Sequence, residues 1–345
     1  MSNEKINMKW PELSIIITTY NSERTLPRLL QSIIIQDYPK DKIEILVVDG
    51  NSTDKTLEIL KESNINIKMI STKYPRDPEA SKGSGLEKAK NEIVCLLDSD
   101  NILPHKEWLK KMITPFMENP DIVGTATLRF TYLKKDNYLN RYFALLGSAD
   151  PVGLYLGKAD KLSYITNKWS LYGNVLENKK DYFIIQYEPD HFPTLGSNGF
   201  CARRNLIMKA QSDPEHFFHI DVPLDLAYMG YRKYGVVRDA IIHDTAAQPS
   251  IIKYVIKRAN YMRLHYQKRA KDRRYKVFDP GRTQDVYRII LFIIFSLTFI
   301  QPLYISIKGY LKKPDPAWFI HPFFCFSILV SYVYAVLYRL AFPEK

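Results

Sequence analysis

The segment EIVCLLDSDNILP, residues 92–104, is an apolar run of strand length that ends in two carboxylates, Asp98 and Asp100, one residue apart. A strand followed by Asp-x-Asp, with Pro104 placed to open a helix, puts both acids at the carboxyl edge of a sheet, where open α/β folds bind ligands. Two carboxylates there can hold a divalent cation through oxygen ligands. Short acids also serve as turn and helix-cap residues, so neighbouring segments must separate the two readings.

Upstream, LSIIITT (13–19) is a β-branched run suited to a central parallel strand buried on both faces. Tyr20-Asn21-Ser22-Glu23 supplies turn and cap chemistry, and Leu26, Leu29, Leu30, Ile33 and Ile34 recur at helical spacing. A second unit runs from strand 43–49, ending in Asp49, through the turn Gly50-Asn51-Ser52 to a helix over 53–62. Strand 65–70, helix 79–90 and strand 93–97 continue the rhythm, which predicts a mostly parallel sheet with right-handed crossovers. The first turn, TTYNSERTL, lacks the glycines of a dinucleotide-binding fingerprint, and no Walker phosphate loop occurs.

After Asp100 the spacing predicts a helix over 104–118 and a strand over 121–130. Residues 136–189 are irregular and Tyr-rich, and read as a lid or acceptor-side insertion. TLGSNGFCARR (194–204) is a turn-rich entry to a helix, HIDVP (219–223) opens another short helix, and 235–243 is a strand ending in His243-Asp244.

The formal charge is +12, and it is not evenly spread. Residues 253–288 hold twelve Lys and Arg against three Asp, so +9 of the excess lies in one stretch. Such a block attracts anionic surfaces, and here it directly precedes two apolar runs. Residues 289–307 and 317–338 are uncharged and, as helices, about 28 and 33 Å long, enough to span a bilayer. Buried core helices or one re-entrant hairpin are the alternative, because Gln301, Pro302, His321 and Pro322 interrupt them. Positive-inside counting places the preceding domain and both termini in the cytoplasm of a multi-pass cell-membrane protein. Ile252, Val255, Ala259, Met262 and Tyr266 form an apolar stripe among cations, the pattern of a helix lying in the membrane interface. Three scattered cysteines, Cys95, Cys201 and Cys325, make neither a disulfide framework nor a zinc site. The N-terminus has no apolar signal-peptide core.

SIIITTYN, VVDGNSTDKT and LLDSDNILP, in this order and each at a strand end, resemble the donor-binding half of the family-two inverting glycosyltransferases of GT-A fold. The resemblance covers about residues 12–130 and continues less tightly through GSNGFCARRN and HIDVPLDLAYMGY to His243. It implies a GT-A catalytic domain over 1–245, divided into a nucleotide-sugar half (12–130) and an acceptor half (131–245). A basic interfacial segment (246–285) and a transmembrane hairpin (286–345) would follow, as in members that work on polyprenyl-linked acceptors. Carried over, Thr18, Tyr20, Asp49, Lys82, Asp98 and Ser99 contact the nucleotide sugar, with Lys82 standing where the family usually has Arg. Asp98, Asp100 and His243 hold Mn²⁺ or Mg²⁺, which neutralises the diphosphate leaving group. Asn198, Arg203 and Arg204 face the acceptor, and Asp221 is the catalytic base with Asp225 as the alternative. Ile220 replaces the Glu that usually precedes that base. The implied partners are a UDP-sugar and a lipid-linked acceptor, without nucleic acid. A polyprenyl phosphate acceptor, or a non-catalytic nucleotide-sugar-binding scaffold, remains the alternative. A processive synthase is disfavoured because no Gln-x-x-Arg-Trp motif follows.

Overall fold

The computed structural model describes residues 9–245, 250–267, 269 and 271–342. Its strands are β1 (Leu13–Thr19), β2 (Ile43–Asp49), β3 (Ile67–Ser71), β4 (Ile93–Asp98), β5 (Asn101–Ile102), β6 (Gly124–Phe130), β7 (Asn174–Asn178), β8 (Tyr182–Gln186), β9 (Phe200–Arg203) and β10 (Lys233–His243). The helices are α1 (Leu26–Ile34), α2 (Thr56–Glu62), α3 (Pro78–Lys88), α4 (Trp108–Glu118), α5 (Tyr138–Leu146), α6 (Pro151–Tyr155), α7 (Arg204–Ile207), α8 (Asp221–Tyr228), α9 (Ile251–Tyr261), α10 (Thr283–Thr298), α11 (Ile300–Lys312) and α12 (His321–Ala341).

The main sheet runs β3-β2-β1-β4-β9-β6-β10-β8-β7, with β5 pairing β10. Its first four strands are parallel, and their apolar runs divide between two cores: Ile15, Ile17 and Val47 point to one face, Ile16, Leu46 and Val48 to the other. That period-2 division is why these strands read as unbroken apolar runs. The parallel rhythm stops at β9, which lies antiparallel to both β4 and β6 because the chain re-enters the sheet from the opposite direction.

Residues 136–189 are more ordered than their sequence suggests. They form α5, α6 and the hairpin β7–β8, which joins the sheet through β10. Leu139, Tyr142, Phe143, Leu145 and Leu146 of α5 are all buried, between the sheet and the C-terminal helices.

The C-terminal region departs further. Residues 289–307 are not one straight helix: α10 and α11 meet at 83° across Phe299, which adopts a left-handed conformation (φ 62°). Pro302 accounts for the break, since its ring excludes the carbonyl of residue 298 from continuing the helix. Among the described residues one helix, Pro316–Ala341, is long and apolar enough to cross a bilayer alone, and the bent pair passes only when taken together. The stripe on α9 is divided as well: Ala259 is buried, Ser331 of α12 donates to the Val255 carbonyl at 3.2 Å, and Ile252 and Ile256 stay exposed. The Tyr266 side chain, residue 268 and the first eight residues lie outside the described set.

One close approach fixes how α3 meets the sheet. A Cβ on Gly85 would stand 2.4 Å from Ile16 Cγ2, so only glycine lets the helix settle on β1. Gly85→Ala should therefore destabilise the protein by about 1–3 kcal/mol through overpacking, read as a lower melting temperature of the purified protein.

Candidate active site

Parallel pairing of β1 with β4 sets Thr18 opposite Asp98, and Thr18 Oγ1 donates to Asp98 Oδ1 at 3.3 Å. The same carboxylate faces Lys82 Nζ at 2.9 Å, and Lys82 also reaches Glu79 Oε1 at 3.3 Å. Lys82 is 3% exposed. Burial pulls its pKa down, but Asp98 and Glu79 outweigh that and hold the ammonium charged. Glu79 is likewise pushed up by burial, yet His219 and Lys82 keep it well below the usual glutamate range.

Asp100 lies beyond the strand end. The short antiparallel pairing of β5 with β10 sets Asn101 opposite His243, and His243 Nε2 then lies 3.5 Å from Asp100 Oδ2. Burial raises the Asp100 pKa, but the neighbouring imidazole wins and lowers it to about 2. Asn101, fully buried, accepts from the Asp98 N–H at 3.0 Å and donates to Asn198 Oδ1 at 3.1 Å, tying the acid turn to the GSNG loop. Ser99 shares a 2.7 Å hydrogen bond with Ser22.

These residues open on a cavity of about 1270 Å³, whose wall includes Thr18, Tyr20, Lys82, Asp98, Ser99, Asp100, Asn198 and His243. Arg76, which the sequence reading passed over, lies 5.5 Å from the Tyr20 ring centroid on the same wall. Its only local signal was its place just before the Asp77-Pro78 helix cap.

Other expected residues sit elsewhere. Asp49 is buried off the cavity wall and closes its own turn: Thr19 and Ser52 hydroxyls donate to Oδ1 at 2.9 and 2.6 Å, and the Ser52 N–H to Oδ2 at 2.9 Å. Arg203 pairs in register with Ile93, at the end of β4 opposite Asp98, and binds Glu92 at 2.6 Å and the Phe116 carbonyl at 2.9 Å. Arg204 donates to the Leu86 carbonyl at 3.3 Å. Both arginines are thus spent on the far edge, away from any acceptor in this cavity.

Asp221 is fully buried and absent from the cavity wall. Arg273 Nε and Nη2 donate to it at 2.9–3.1 Å, and the Arg274 and Tyr275 N–H groups add two more bonds at 3.1 and 3.2 Å. Asp225 accepts from Arg274 Nε at 2.7 Å, and burial leaves its pKa raised. Arg269 reaches Asp77 at 3.3 Å, so one basic strap fastens three acids of the catalytic domain.

Among the described residues no group of three His, Cys, Asp or Glu side chains converges as a ready metal cage. The donor set nonetheless fits a hard divalent cation that completes its shell with phosphate oxygens and water. Asp100 and His243 are adjacent, Asp98 has an oxygen not engaged by Lys82 or Thr18, and buried His243 Nδ1 has no partner.

A mixed sheet with acids gathered at the carboxyl edge of β4, beside a cavity, defines a GT-A-like protein. The chain belongs to glycosyl transferase family 2, whose model matches residues 14–193. Glycosyltransferase AglE of Haloferax volcanii is 31% identical over 136 residues, covering 38% of this chain and 44% of that protein. The GalNAc(5)-diNAcBac-PP-undecaprenol beta-1,3-glucosyltransferase of Campylobacter jejuni is 37% identical over 138 residues, covering 39% and 42%. The matched stretches thus span less than half the length of these relatives. The mannosyltransferase PcManGT from Pyrobaculum calidifontis, solved with GDP-Man and Mn²⁺, superposes with a TM-score of 0.52 at 17% identity, over 95% of this chain and 88% of that one. It shares the fold.

The buried acid gives a pH test. Folding holds Glu79 ionised below its ordinary value of 4.5, so its stabilisation is complete above that value and is lost as pH falls beneath it. Melting temperature should therefore fall less steeply on the acid side for Glu79→Gln than for the native protein.

Proposed function

We propose that the protein is a metal-dependent, inverting glycosyltransferase that moves a sugar from a nucleoside-diphosphate donor, a UDP-sugar, to a lipid-linked acceptor at the cytoplasmic face of the cell membrane. One observation carries this reading. The cavity that begins at Thr18, Lys82 and Asp98 continues, unbroken, into a crevice between α10 and α12 lined by Phe292, Ile293, Leu329, Val333, Val336 and Leu337. A site with charge at one end and a long apolar trough at the other suits a substrate that is a phosphorylated sugar on a hydrocarbon chain.

The surroundings support it. Ile290, Ile294 and Leu297 on α10, Leu303 and Ile307 on α11, and Val330 and Leu340 on α12 are exposed, a surface unsuited to water. Lys257 and Arg258 of α9 also line the cavity, as cations that an acceptor's phosphates would meet. The Campylobacter relative bears a name that specifies an undecaprenyl-diphosphate-linked acceptor, and a Methanococcus voltae relative, 32% identical over 122 residues, one that specifies a dolichyl N-acetyl-glucosaminyl phosphate, a sugar already carried on lipid. We favour a polyprenyl-diphosphate glycan. The sealing of Asp221 by Arg273 supports the second reading, a polyprenyl phosphate, whose ionised oxygen needs no base.

In this reading Tyr20 and Arg76 offer flat faces to the nucleobase, and Lys82 places a fixed ammonium beside the diphosphate. Asp98, Asp100 and His243 would hold Mg²⁺ or Mn²⁺, which supplies positive charge against the leaving diphosphate. The buried anchoring of Lys82 between Asp98 and Glu79 means that this charge reorganises little during bond cleavage.

Membranes carrying the protein, given a panel of radiolabelled nucleotide sugars, should transfer label from one of them into the organic-extractable lipid. Absence of labelled lipid with every donor would refute the reading. Asp100→Asn should keep the fold and lower that labelling by at least about a hundredfold, as should chelation. Val333→Trp, which fills the crevice, should cut transfer to long-chain acceptors while sparing short-chain, water-soluble ones; equal loss on both would argue against a lipid trough.

A further inference from the structure

With Asp221 sealed beneath Arg273, the cavity lacks the acid expected to take a proton from an acceptor hydroxyl. Two residues earlier stands His219, which does line the cavity. Its main-chain N–H donates to Glu79 Oε2 at 2.9 Å, and its Nδ1 lies 2.8 Å from Glu79 Oε1. Both oxygens of one buried carboxylate thus grip one histidine, by backbone and by ring. An ionised carboxylate only accepts, so Nδ1 carries a hydrogen, and in the neutral ring Nε2 is the nitrogen that offers a lone pair. No hydrogen bond to Nε2 occurs among the described residues.

The support around it is rigid. The ring stacks on Phe218 with centroids 5.1 Å apart, and a Cβ at Gly196, in the GSNG loop, would lie 2.0 Å from the His219 carbonyl oxygen. Glu79 is joined through Lys82 to Asp98, so a continuous contact chain links the imidazole to the acids at the leaving-group end. The charged groups packed around His219 are Glu79 and Lys82 on α3, Asp98 beyond Lys82, Asp221 on α8, and Arg273, whose guanidinium lies 3.5 Å from the Phe218 ring centroid.

We propose that His219 is the general base of the transfer, and that Glu79 is its positioning residue. This rests on the reading of the site as a sugar transferase with a hydroxyl acceptor. The acceptor O–H bond breaks and its proton passes to Nε2. The freed oxygen pair forms the new bond to the anomeric carbon, and the bond from that carbon to the diphosphate breaks with its electron pair on the departing nucleoside diphosphate. The imidazolium, held by Glu79, then returns its proton to water. A carboxylate that orients an imidazole and stabilises its cation is the arrangement general-base catalysis requires.

The test uses the full-length protein in membranes and the nucleotide sugar that labels lipid with the native protein, so failure of the broader reading appears first, as no labelling at all. His219→Asn keeps an N–H toward Glu79 but removes Nε2. It should slow transfer to the lipid by about 10²–10⁴-fold. Added sodium azide, a nucleophile already ionised, should yield glycosyl azide at the native rate with this variant, which a misfolded or donor-blind protein would not do. Glu79→Gln should lower kcat with KM little changed, and should shift the acid limb of the pH–rate profile that His219→Asn abolishes. Native-rate transfer by His219→Asn would overturn the proposal and favour a phosphate acceptor. Parallel loss of lipid transfer and azide product would overturn it too, as would an Asp221→Asn protein that alone loses transfer while keeping azide reactivity.

Discussion

The buried ammonium of Lys82 is the contact on which the site depends. It lies 2.9 Å from Asp98 and 3.3 Å from Glu79, and it has lost almost all its water. A charge so placed depends on its carboxylate partners, and buried Glu79 depends in turn on Lys82 and His219. Asp98 therefore meets the cavity with one oxygen already engaged, and Glu79 is held as a hydrogen-bond acceptor for His219. One cation thus ties Asp98 at the sheet edge to the glutamate that holds His219. An arginine there would bring a planar fork; lysine's single ammonium fits between two acids on different elements.

The sheet explains why these groups meet at all. β1, β2 and β4 are buried on both faces, so a slip of one residue would exchange their two apolar sets and is strongly disfavoured. That register delivers Thr18 and Asp98 to one edge. The antiparallel β5–β10 contact then brings His243 to Asp100 from residues far apart in the chain. The apolar core thus fixes the geometry, and the polar network refines it.

What the sequence made legible follows from the same physics. Strands buried on two faces announce themselves as β-branched runs, and acids at their ends follow by position, so the donor half could be read from residues 13–100. Arg203 and Arg204 could not: whether a residue on β9 lies at the acid end depends on that strand running antiparallel, which nothing local encodes. Asp221 was visible as an acid, but the partner that removes it from the cavity comes 52 residues later. His219 and Glu79 are 140 residues apart, and each alone looks like an ordinary polar residue at a helix end. The run 289–307 showed the residues that interrupt it, Gln301 and Pro302, but not that the chain would turn at Phe299 through a left-handed conformation.

The basic strap has a mechanical consequence. Arg269, Arg273 and Arg274 fasten to Asp77, Asp221 and Asp225, and the chain continues from there directly into α10. Breaking the buried Arg273–Asp221 pair would cost several kcal/mol, so the catalytic domain and the C-terminal helices cannot swing freely about the junction. The acids at the sheet edge are then held at a fixed distance from the apolar helices α10 to α12. On the proposed reading, an acceptor anchored in a bilayer would meet the donor only if it carried its sugar at that distance. On the proposed reading, selection among glycans of different length would be a property of height, set by three ion pairs at the margin of the cavity.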